Sequence, residues 1–317
     1  MKKRKFTEGE PNHIYQRTIS GFNIFYEIED YLVYYTIFSI AALKYDVIVY
    51  GLCLMIDHIH SLCKFTSRSS MKEFVSNVTS VFVREYNKEH KRFGSLFCLN
   101  YGSAPKVGMK LLRTAISYLY NNPVERRLCR FAQEYRWNFM AYANSCYAFS
   151  DTLIIRKASY ALRAAISEVN GSRKRGDHLT YPQLKRIFST LDNREKNQLI
   201  DYIIIKYSVI RYDILTTSCY EGYDSMVVAI NSNAGSEYDI DEYRWGRSDA
   251  EYRELYKFTR SHGYASAGDV IALELDAKIS LHNAIRAATN VSSYLICKFL
   301  HLPIAEFKQD APCFVKC

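Results

Sequence analysis

Apolar and polar positions change period along the first half of the chain. His13-Ile14-Tyr15-Gln16-Arg17-Thr18 alternates and is rich in β-formers, which predicts a strand ended by Ser20-Gly21. Glu27 to Lys44 has helical length and spacing. Asp46 to Met55 is nearly all apolar and predicts a buried strand, with Ile59 to Phe65 as its hairpin partner across an Ile56-Asp57 turn. Ser69 or Ser70 is placed to cap a long helix running to about His90, with Glu73 in the capping-box position for Ser70. Gly94 to Val107 reads as short and turn-rich, and Met109 to Asn121 as a helix stopped by Pro123. Strand, helix, paired strands and helix is the order of an α+β fold, with helices on a small antiparallel sheet.

Beyond Ser150 the period-two signal fades. Leu153 to Val169 is helical, Gly171 to Gly176 reads as a basic flexible link, and Thr180-Tyr181-Pro182 opens another helix. Asn193 to Val209, Asp249 to Ser261 and Ala267 to Asp276 continue as helices, and Asn231 to Asp241 as a loop. At 317 residues the chain fits two domains, an α+β unit over 1–150 and an all-α unit over 151–317.

Charge separates the same two halves. Residues 1–150 hold 20 Lys and Arg against 12 Asp and Glu, whereas the remainder holds 22 against 21. The formal +9 therefore sits almost wholly in the first half, and an anionic partner is expected there. No stretch reaches the apolar length of a membrane span, and the basic opening is followed by polar residues rather than a signal-peptide core. A cytoplasmic protein with no membrane partner is expected. The nine scattered cysteines contain no Cys-x-x-Cys pair and read as reduced thiols.

The sharpest chemical feature is His58-Ile59-His60. Positions i and i+2 of a strand share a face, so two imidazoles stand side by side, as half of a metal site or as histidines hydrogen-bonded within the sheet. Tyr118 and Asn122 are four apart near the end of a helix and project from one face, a phenol and an amide. A phenol can act as a nucleophile and an amide oxygen as a hard ligand, although with 27 tyrosines in the chain packing is the commoner role.

Six landmarks in order carry a family resemblance over about residues 12–145. They are Arg17, Phe22-Asn23-Ile24-Phe25-Tyr26, Met55 to His60 as a His-hydrophobic-His motif, Arg92 to Phe97, Tyr118 to Pro123, and Tyr135-Arg136-Trp137-Asn138. With these the sequence resembles the HUH single-tyrosine transposases, and within them the REP-associated tyrosine transposases. The resemblance implies a ferredoxin-like antiparallel sheet with helices on one or both faces. It also implies that His58, His60 and Asn122 hold a divalent ion, Mg2+ or Mn2+, and that Tyr118 attacks single-stranded DNA to give a 5′-phosphotyrosine. Tyr120 lies roughly 200° around the helix from Tyr118 and cannot face the same ion. Three positions depart from the family pattern: Asp57 stands where Asn is usual, Asn122 precedes proline in this setting, and Glu125-Arg126-Arg127 replaces the common Ala-Gly.

The implied substrate is a DNA hairpin with a single-stranded flank. Lys3, Arg4 and Lys5 of the basic arm, with Arg17, Arg92, Arg126, Arg127 and Arg130, are the candidate backbone contacts; Phe93, Phe97, Tyr101 and Trp137 are candidates to stack on bases. Residues 278–303 read as a helix-turn-helix with Ser292, Ser293, Lys298 and His301 toward DNA, or as an ordinary helical hairpin. Two other classes stay open: a domesticated protein that holds hairpins without cutting them, and a zinc hydrolase using the histidine pair. Monomer and homodimer are both compatible with the sequence.

Overall fold

The computed structural model of the protein describes residues 5–98, 101–234 and 250–303. Strand β1 (Pro11–Arg17) is followed by α1 (Ile28–Lys44), β2 (Ile48–Met55), β3 (His58–Lys64), α2 (Arg68–Glu89), β4 (Gly102–Pro105) and α3 (Gly108–Glu125). The strands form one antiparallel sheet in the order β2-β3-β1-β4. Helices α1 and α2 cover one face through Tyr34, Phe38, Phe74 and Val78, which meet Ile14 and Ile59. Helix α3 covers the other face. Its Leu119 and Tyr120 approach Gly51 of β2 so closely that a Cβ there would sit 3.2 Å from Leu119. The α+β fold with a helical remainder is thus present.

The local readings differ from the structure at several places; the helix expected from Leu153 begins at Tyr160, and the one expected over Ala267 to Asp276 is broken after Ile271. Helix α2 is capped by Ser67, whose Oγ accepts from Ser70 N at 3.1 Å, rather than by Ser69 or Ser70. The turn-rich stretch contains β4, four residues pairing Gly102 to Pro105 with β1, too short to show an alternation. Helix α3 runs through Pro123 to Glu125 instead of stopping before it. A proline removes one backbone donor, and Asn122 remains helical with its Nδ2 donating to Tyr118 O at 2.9 Å. The expected basic link at 171–176 is the last turn of α4 (Tyr160–Arg175), ended by Gly176 in the left-handed conformation at φ +77°.

The helical remainder continues with α5 (Tyr181–Ser189), α6 (Asn193–Tyr207), a single turn α7 (Tyr212–Ile214) running into a π-turn at Leu215–Cys219, and α8 (Tyr223–Ser232). After the residues left undescribed, where the acidic stretch Glu237 to Glu242 falls, come α9 (Ala250–Ser261), α10 (Ala267–Ile271), α11 (Leu275–Ala288) and α12 (Ser293–Leu300). The apolar core crosses residue 150. Buried side chains of α4, α5, α6 and α8 belong to the same cluster as those of α1 and the sheet. Buried hydrogen bonds tie the halves: Tyr35 donates to Ile204 O at 2.8 Å, Tyr181 to Asp30 Oδ1 at 2.8 Å, and Leu179 N to Thr36 Oγ1 at 3.1 Å. A second apolar cluster joins α9, α11 and α12 and rests on Tyr26 and Ile56.

No helix among the described residues is long and apolar enough to cross a membrane. The cysteines of the described residues are free thiols.

Candidate active site

The site grows out of the β2-β3 hairpin. Its two-residue turn, Ile56-Asp57, delivers His58 as the first residue of β3, and the pleat puts His60 on the same face. The register sets Arg17 of β1 opposite His58 and Tyr15 opposite His60. His13, two residues further along β1, therefore joins that face. Its Nε2 lies 3.1 Å from His60 Nδ1, and the two rings stack at 5.2 Å between centroids. His58 and His60 meet edge to face at 4.8 Å.

Helix α3 lays Tyr118 over this group. The Tyr118 ring is T-shaped to His60 at 5.5 Å and to His13 at 5.6 Å, and is 8% exposed. Tyr120 faces elsewhere, fully buried with its hydroxyl toward Gly51 and its phenol pushed far above the ordinary value by burial. The helical periodicity that separates the two tyrosines is realised in the packing. Asn122 is buried one turn after Tyr118; with its nitrogen on the Tyr118 carbonyl, its oxygen is the atom with ligand chemistry.

The electrostatics suit a cation. Burial, and then the charges of His58, Arg17 and Arg126, hold the His60 imidazole well below its usual range, so it is neutral near pH 7. Asp57 is the centre of charge in the site. Its Oδ1 takes His58 Nδ1 at 2.6 Å and Arg126 Nη2 at 3.3 Å, and its Oδ2 takes the ammonium of Lys298. Burial alone would raise its pKa, but Lys298, Arg126 and His58 pull it well below the carboxylate range. Each histidine thus has its Nδ1 engaged, His58 by Asp57 and His60 by His13. That is the pattern that orients imidazoles bound to metals through Nε2. Two imidazole nitrogens and an amide oxygen are a donor set that fits a borderline-hard divalent ion such as Mn2+, and no group of three or more His, Cys, Asp or Glu forms a cluster for a metal among the described residues.

Residues 12–122 match the model of the family described as "Transposase IS200 like". That segment is similar to the IS200-like transposases over about a third of the chain. It begins within β1 and ends at Asn122, so the match spans the His pair and Tyr118. A solved structure described as "Structure of the REP associates tyrosine transposase bound to a REP hairpin" is similar at 11% identity, covering 45% of this chain and 86% of that chain with a TM-score of 0.37. No curated protein matches the chain.

The basic residues around the matched segment divide into two groups. Lys5, Arg127 and Arg130 are exposed and Arg17 is half-buried at the rim beside His58, while Lys3 and Arg4 lie outside the described residues. Arg92 and Arg126 are half-buried and held by neighbouring groups. Arg92 donates to Asn87 Oδ1 at 2.6 Å and Ser95 O at 3.1 Å, and Arg126 to Asp57. Of the aromatic candidates Phe93 is 94% exposed, whereas Phe97 and Trp137 are buried, Trp137 stacked on Tyr31 at 4.3 Å. Those two cannot stack on bases, because a basic, aromatic-rich sequence does not say which rings the core claims.

Residues 278–303 do contain a helix, a break and a helix, but the proposed DNA contacts point inward. Ser293 Oγ is 2.9 Å from His282 Nε2, His301 stacks on Phe22 at 4.6 Å and donates from Nε2 to Asn23 O at 2.8 Å, and Lys298 is 5% exposed. Ser292 caps α12. The sequence reading missed His13 and the site role of Lys298. For His13 the signal was its shared parity with Tyr15 and Arg17; for Lys298 there was none.

Proposed function

We propose that this chain is a transesterase that cleaves and rejoins single-stranded DNA beside hairpins through a 5′-phosphotyrosine link. The observation that carries the reading is the placement of Tyr118 T-shaped against His60, which itself meets His58 edge to face, with Tyr120 turned into the core. When bound by His58, His60 and Asn122, a divalent cation such as Mg2+ or Mn2+ supplies Lewis-acid polarisation of the scissile phosphate. Attack by the Tyr118 oxygen forms a phosphate ester and breaks the bond to the 3′-oxygen of the preceding nucleotide. The phenol gives up a proton and the released 3′-oxygen gains one. No water enters, so a second 3′-hydroxyl can reverse the step and rejoin strands without ATP. Arg17 at the rim and exposed Lys5, Arg127 and Arg130 suit the DNA backbone, and exposed Phe93 suits an unpaired base. In this reading residues 1–150 carry the chemistry and 151–317 brace it.

The test is an adduct assay. With Mn2+ and a labelled hairpin bearing a single-stranded flank, the protein forms a denaturant-resistant DNA adduct that Tyr118→Phe abolishes. An adduct that survives Tyr118→Phe removes the nucleophile. Hairpin binding with no adduct in the unaltered protein indicates a protein that only holds DNA, and cut product without an adduct indicates a hydrolase.

A further inference from the structure

Lys298 lies far from the His pair in sequence and outside the segment that matches the transposase family. It reaches the site because α12 is fastened to the segment that follows β1. Asn23 N donates to Lys298 O at 3.3 Å, Tyr26 donates to Phe299 O at 2.8 Å, and His301 donates to Asn23 O. The stem of Lys298 then passes Gly21. A Cβ on Gly21 would lie 3.1 Å from Lys298 Cε, and Gly21 holds φ +66°, so this position favours a residue without a side chain on both counts. At the end of that path the ammonium meets Asp57 Oδ2, with side-chain exposures of only 6% and 9%.

We infer that Lys298 is a positioning residue of the His-pair site: by holding Asp57 Oδ2 it keeps Oδ1 on His58 Nδ1, and so keeps His58 Nε2 turned outward as a ligand. The carboxylate has two oxygens and its partners divide them, Lys298 on one and His58 with Arg126 on the other. With Lys298 gone, Oδ2 loses the ammonium that holds it and the carboxylate is free to rotate toward Arg126. The helix that the remainder of the chain contributes is in this way part of the site. The inference rests on the proposed reading of His58 as a cation ligand.

Two variants of the full chain test it, Lys298→Gln, which keeps length and a donor but loses charge, and Lys298→Arg, which keeps charge. The first readout needs no metal: the nitrogen resonances of the His58 imidazole report which nitrogen carries the proton. The unaltered protein and Lys298→Arg show His58 protonated at Nδ1, and Lys298→Gln shows a mixture of tautomers. The second readout is Mn2+ affinity, which falls by about 10-fold to 100-fold in Lys298→Gln, the size expected when the partner that orients a ligand is lost. It stays within about threefold in Lys298→Arg. A His58 tautomer unchanged in Lys298→Gln overturns the inference, and so does loss of the fold in both variants, which makes Lys298 purely structural. Absence of Mn2+ binding in the unaltered protein defeats the cation reading instead, and the tautomer comparison still decides whether Lys298 orients His58.

Discussion

Replacing Asp57 by Asn tests the charge balance at the centre of the site. The family that the sequence resembles favours Asn there, the two side chains are nearly isosteric, and within the matched segment alone the change looks harmless. The structure says otherwise, because three cationic or protonatable groups converge on this carboxylate and Lys298 is 5% exposed. At an effective dielectric of about 20, a unit charge pair in contact is worth about 4 kcal/mol. Removing one partner of a buried pair costs about 3–5 kcal/mol, since the other is left as an uncompensated buried charge. Asp57→Asn is therefore expected to lose about 3–5 kcal/mol in urea unfolding at pH 7. Lys298→Met alone costs less, because Asp57 keeps His58 and Arg126. The double variant Asp57→Asn with Lys298→Met should be at least about 2 kcal/mol more stable than Asp57→Asn, since the stranded charge is gone. Loss of less than about 0.5 kcal/mol in Asp57→Asn, or a double variant no more stable than it, refutes the reasoning.

Other outcomes follow from the same geometry. His301 is held neutral in the fold, pushed down to about 3 by burial, so unfolding lets it take up a proton below its free value of about 6.5. Its contribution is present above that pH and is lost as the pH falls: urea titrations should show a loss of about 1 kcal/mol per pH unit from 6 to 4, less than the full value because part of the ring meets solvent, and His301→Asn should flatten that slope. Tyr120→Phe should leave the DNA adduct intact in denaturing gels, since this phenol points at Gly51 and not at the His pair; loss of the adduct in a folded variant would contradict the assignment. Arg127→Ala and Arg130→Ala should each lower the salt slope of hairpin binding by about 1. Trp137→Ala should cost about 3–5 kcal/mol in unfolding while leaving hairpin affinity per folded molecule unchanged, because its ring is stacked on Tyr31 in the core.

Much of the site is legible in sequence because it is local. The same-face placement of His58 and His60 follows from the period of a strand, and the divergence of Tyr118 and Tyr120 from the period of a helix. The α+β order of elements is likewise written in the hydrophobic pattern. Boundaries are less legible where one residue type serves two purposes: Ser67, Ser69 and Ser70 all suit a cap, and only the backbone path selects Ser67. Pro123 near the end of α3 removes a single donor and leaves the helix intact.

What the amino-acid order determined by itself is the set of short-range relations: the hairpin that presents two imidazoles, the helix that turns Tyr118 and Tyr120 to different faces, and the excess of positive charge in the first 150 residues. What only the tertiary structure decided is every relation across strands and between distant segments. The β1-β3 register adds His13, a contact that no spacing within one strand encodes. The docking of α12 sends Lys298 to Asp57 and turns an expected DNA contact into a buried ion pair. Long side chains such as Lys and Arg reach either solvent or a buried carboxylate with equal ease, and what chooses between them is the position of a partner more than two hundred residues away.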